Sequence, residues 1–190
     1  MRLSETAGYA TAVVGFAAFL AVGPLPDLYV LLAALTLACA AVVTFSINVG
    51  PSRVPRPASI GWLAVAAGIV VTFTIRLVIT GGGAAFERDA LGPPAIIALG
   101  LWLAAGSVPA SPLLPTSVRA LGIVAGLLVA ATGGSLIVAG TGHPLTMATG
   151  VAYEVALPVW GLLVGRHIGT MRAQSATGAP LGTTAGSRPA

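Results

Sequence analysis

"GVAYEVALPVWGLLVG", residues 150–165, decides the fold. It is a lipid-like run with one carboxylate, Glu154, in its middle. Working outward, the apolar stretch extends over 145–166, long enough to cross about 30 Å of hydrocarbon as a helix. The same texture fills most of the chain. Of 190 residues, 56% are hydrophobic and 7% charged, against about a quarter charged in a soluble domain. The mean hydropathy is +0.98. One globular core cannot bury that much apolar surface, whereas a bilayer can. Strand-like alternation is absent, which argues against a β-barrel.

The expected fold is therefore all-α, a polytopic membrane helix bundle with six transmembrane helices and both termini cytoplasmic. The spans read as 6–23, 28–49, 58–80, 94–110, 117–140 and 145–166. Turn chemistry separates them: Gly23-Pro24-Leu25-Pro26, the three prolines between residues 51 and 57, Gly81-Gly82-Gly83, Pro112 with Pro115, and the segment 140–144. The domain reading is a transmembrane unit over 1–170 and a disordered cytoplasmic tail over 171–190, rich in Gly, Ala, Ser and Thr. The first run is read as a retained span. Glu5 weakens a basic leader, and the run is longer than the apolar core of a signal peptide.

Charge sets the orientation. All nine basic residues are Arg, and the net charge is +4. Six crossings put Arg2, Arg53, Arg56, Arg119, Arg166, Arg172 and Arg188 on one side. The other side holds Asp27 and Arg88, the latter flanked by Glu87 and Asp89. Basic loops stay inside, so the expected location is the inner membrane of the cell, multi-pass. No Arg cluster is dense enough for nucleic acid. The single cysteine, Cys39, allows no internal disulfide or redox pair.

Two ionisable residues fall within spans. Arg76 lies about 6 Å below the outward end of the third, where its guanidinium can snorkel to the headgroups. Glu154 lies near 15 Å deep, beyond the reach of its short stem. An ionised acid there costs several kcal/mol, at the order-of-magnitude level, unless it is sheltered. Three shelters exist: protonation, an ion pair with Arg76, or a water-filled cavity. Helical spacing places Thr146, Gly150 and Glu154 near one stripe, with Tyr153 beside it, and Thr72 precedes Arg76. The candidate ligand-binding residues are Glu154, Arg76, Tyr153 and Thr72. Pro158 lacks the amide that would bond the Glu154 carbonyl. Most Ser and Thr in spans bond their own helix or a neighbour. The pairs Gly122/Gly126 and Gly161/Gly165 permit close helix approach inside the bundle. Trp62 and Trp160 read as interfacial belt residues, and Trp102 as packing.

Nothing marks an enzyme. There is no metal-ligand spacing, nucleophile elbow, phosphate loop or paired acid, and no cofactor is expected. An intramembrane enzyme is the weakest of three readings, because one acid without a partner nucleophile or metal is a poor catalytic set; two others lead. In the first, the chain is a small-molecule or ion binding or transport component with a polar site in the outer half of the bundle. In the second, it is a structural, sensory or accessory subunit with no ligand site. The expected partners are the lipid bilayer, a small-molecule or ion ligand, and another membrane protein or a second copy of the chain.

The stretch "LGLWLAAGSVPASPLLPTSVRALGIVAGLLVAATG", residues 99–133, resembles part of a group of uncharacterised bacterial six-helix integral membrane proteins. The shared features are a Leu-Trp-Leu span, a Gly, a short loop with Leu-Pro and a Leu-Gly-containing span. A Glu before a Trp in the last span, here Glu154 and Trp160, is similar too. The resemblance implies a helical bundle and no particular activity. Arg-only, Ala- and Gly-rich usage fits a high-GC bacterium.

Overall fold

The computed structural model describes residues 2–22, 24–48, 66, 92–108 and 114–176. Within them the chain is all-α. The helices are α1 (Arg2–Ala21), α2 (Pro26–Asn48), α3 (Gly92–Ser107), α4 (Thr116–Ala139) and α5 (Pro144–Ala176). Four of these, all but α3, are long and apolar enough to cross a membrane. α3 has 16 residues, which at about 1.5 Å each is some 24 Å, shorter than a typical hydrocarbon core. The span expected at 58–80 lies outside the described residues, apart from Ala66.

Helices form here because lipid offers backbone amides no partner, so each segment must bond itself. Their ends carry the turn residues. Proline opens α2 at Pro26, follows the first residue of α3 at Pro93 and opens α5 at Pro144, where its missing N–H costs nothing. Gly140 closes α4 with φ of 79°, a left-handed value that favours glycine, and its amide donates to the Leu136 carbonyl at 3.2 Å.

Small residues set the packing. A Cβ on Gly8 of α1 would lie 2.8 Å from the Gly161 carbonyl oxygen and 2.8 Å from the Gly165 amide of α5. A Cβ on Gly100 of α3 would lie 2.4 Å from the Ala130 amide of α4. Both glycine pairs singled out in the sequence thus face neighbours of the same chain. α1 packs on α2 and α5, and α4 on α3 and α5. The Asn48 side chain closes the far end of α2, donating to the Thr44 carbonyl at 2.7 Å and to the Gly106 carbonyl of α3 at 2.9 Å.

Two expectations are corrected. Trp160 is not an interfacial belt residue: it is 1% exposed and, among the described residues, is the largest fully buried side chain. Its neighbours on the buried stripe are Tyr153, Leu157, Val164 and Ile168, spaced as one helical face. Residues 171–176, expected in a disordered tail, continue α5 as helix. Arg172 there forms an ion pair with Glu5 of α1. Residues 177–190 lie outside the described residues.

Candidate ligand cavity around Glu154

A cavity of about 250 Å³ sits at the end of the bundle where α1 and α4 finish and α2, α3 and α5 begin. Its rim carries exposed Val22, Thr141 and Met147. Deeper in, the walls are apolar: Val30, Ala33 and Leu37 from α2, Ile96 from α3 and Leu136 from α4, with the more exposed Val151 of α5 nearer the mouth. Against this lining stand a few polar side chains.

Glu154 is the most buried charged residue among the described residues, 5% exposed yet lining the cavity. The Tyr29 hydroxyl, from the first turns of α2, donates to its Oε1. Tyr153 lines the same cavity, and Tyr29 interacts with both it and the acid. Thr146 and Thr132 join Thr141 of the rim in the polar set, and both donate to main-chain carbonyls. Thr146 bonds Gly140 at 2.8 Å, across the α4–α5 turn, and Thr132 bonds Leu128 at 2.9 Å, one turn back. Ser135 likewise bonds the Thr132 carbonyl at 2.9 Å, the ordinary local bond of a hydroxyl in an apolar helix.

Local sequence adds a second acceptor beside the acid. Pro158 is buried four residues after Glu154 and has no amide to give the Glu154 carbonyl. α5 therefore carries both a side-chain and a main-chain acceptor at one level. Gly15 of α1 lets Pro158 approach: a Cβ on Gly15 would lie 2.3 Å from the proline Cγ.

Of the four residues expected to bind a ligand, Glu154 and Tyr153 line this cavity, while Arg76 and Thr72 lie outside the described residues, as does any pairing of Arg76 with Glu154. Among the described residues no Arg or His forms an ion pair with Glu154. Tyr29 went unnoticed in the sequence, 125 positions from its partner. The available signal was that a buried tyrosine hydroxyl needs a partner, and Tyr29 starts its helix at the end of the bundle where α5 also starts. Among the described residues no cluster of three or more His, Cys, Asp or Glu could hold a metal ion.

Comparison of the chain with protein-family models, with curated proteins and with solved structures finds no match. The functional reading rests on the geometry.

Proposed function

We propose that this multi-pass membrane protein binds a small molecule or ion in the Glu154 cavity, as a receptor or as a transport component. One observation carries the reading: a buried carboxylate, donated to by Tyr29, lines a cavity that reaches an exposed rim. A purely structural bundle has no need of such a site. Small apolar cavities with a few convergent polar groups are the common form of ligand sites, and acids inside membrane helices are functional candidates.

The test is a thermal-shift ligand screen on the protein in detergent. A ligand at a hundred times its Kd adds about 2.7 kcal/mol of apparent stability. Glu154→Gln retains an oxygen to accept from Tyr29, so the variant is expected to fold and to lose the ligand-dependent shift. A ligand that stabilises the variant as well as the parent places binding elsewhere. A broad screen in which nothing stabilises the parent favours an accessory subunit that works through helix contacts.

Orientation belongs to the same reading. Arg2, Arg119, Arg166 and Arg172 lie toward the end of the bundle opposite the cavity, and Asp27 lies at the cavity end. With the basic end cytoplasmic, both termini face the cytoplasm, the cavity opens outward, and a sixth crossing within 58–80 is required. In a Cys39→Ala background, Thr141→Cys is expected to react with an impermeant maleimide on intact cells, and Ser175→Cys only after lysis. The reverse pattern would invert the protein and refute an outward-facing site.

A further inference from the structure

We infer that the cavity is selective for a small protonated amine, an ammonium N–H donor carried on an apolar body. This deepens the ligand-binding reading above and rests on it. Three of the wall hydroxyls spend their protons inside the protein: Tyr29 on Glu154, Thr132 on the Leu128 carbonyl and Thr146 on the Gly140 carbonyl. A hydroxyl that has donated keeps only its lone pairs, and a carboxylate that receives a bond offers only acceptors. Around Glu154 the polar wall is therefore rich in acceptors, Tyr153 and, at the rim, Thr141 being its other hydroxyls. An anion, or a ligand with only ether and carbonyl oxygens, would face the carboxylate and these lone pairs.

The remaining wall chooses among cations. A calcium ion takes six to eight oxygen ligands and magnesium a near-octahedral shell. Here one carboxylate stands among aliphatic side chains such as Val30, Leu37, Ile96 and Val151. That lining fits hydrocarbon and does not complete a metal shell. An ammonium can donate to Glu154 with a charge-assisted bond, while Tyr29 and Tyr153 place aromatic rings next to the same acid. The volume of about 250 Å³ holds a short or monocyclic amine and lies just under the usual range for drug-sized ligands, about 300–1,000 Å³.

The test compares cyclohexylammonium chloride, cyclohexanol and sodium chloride at neutral pH, each titrated against the full chain in detergent and read as a thermal shift. Cyclohexylammonium is expected to bind about 10- to 100-fold more tightly than cyclohexanol, the range for a hydrogen bond to a charged group. Glu154→Gln is expected to erase that difference. Equal shifts from alcohol and ammonium, or an ammonium preference that survives in Glu154→Gln, would overturn the amine assignment and leave the cavity a ligand site. A shift that sodium chloride reproduces would do the same. No shift from the ammonium also overturns the assignment, and the broader screen then decides independently whether the cavity binds anything. Were Glu154→Gln not to fold, the comparison on the parent chain still decides.

Discussion

Trp160→Ala is expected to lower stability by about 3 kcal/mol, the lower end of the range for truncating a buried Trp or Phe in a water-soluble core. The lower end applies because lipid is as apolar as the protein interior. The transfer part of the penalty shrinks, and lost packing remains. The loss is large because Trp160 is 1% exposed and, among the described residues, no other fully buried side chain is bigger. Trp160→Phe should behave differently. The indole Nε1 is buried without a hydrogen-bond partner, and it presses against Gly122, whose added Cβ would stand 2.6 Å away. Phenylalanine removes the orphaned donor along with some volume, so its cost is expected to be less than half that of alanine. Reversible unfolding in mixed micelles measures both. Equal losses for the two variants would show that the indole N–H contributes to stability, contrary to this account.

Gly126→Val is the second large effect. A Cβ at Gly126 would stand 2.5 Å from the Ala104 amide and 2.7 Å from the Gly100 carbonyl oxygen, both on the α3 backbone. Backbone cannot rotate away as a flexible side chain can, so the helices must separate. Overpacking of this kind costs about 1–3 kcal/mol and occasionally more. The upper end is expected because the reciprocal contact, Gly100 against Ala130, belongs to the same seam and opens with it. Gly134→Ala is the control. It also lies in α4, yet its added Cβ meets nothing within 4 Å. Alanine there should be neutral or stabilising by up to about 1 kcal/mol through helix propensity. If Gly126→Val melts with the parent protein, the close α3–α4 seam is wrong.

These variants also show what could be read before the coordinates. Apolar length marks helices well, because only a self-bonded segment of sufficient length survives in lipid. The runs at 28–49 and 117–140 correspond to α2 and α4 within two residues at either end. Depth along a span was legible in the same way, and it drew notice to Glu154. Azimuth was harder. Trp160 looked interfacial because it lies six residues before Arg166, but its direction is set by the stripe from Tyr153 to Ile168. Tyr29 was missed because partnership across a bundle leaves no mark in local sequence. Nothing near position 29 announces a carboxylate on the last helix. The end of α5 was misjudged because 171–176 has little to bury in lipid, whereas Glu5 of α1 holds Arg172 from the side.

α5 is longer than a membrane is thick. Its 33 residues span about 50 Å, against roughly 30 Å of hydrocarbon. If Pro144 to Arg166 fills the hydrocarbon, the ten residues from His167 to Ala176 form a stalk reaching about 15 Å beyond it. Glu5 braces that stalk about midway along, at Arg172. The last described turn of α5 thus stands beyond the hydrocarbon on a post steadied by α1.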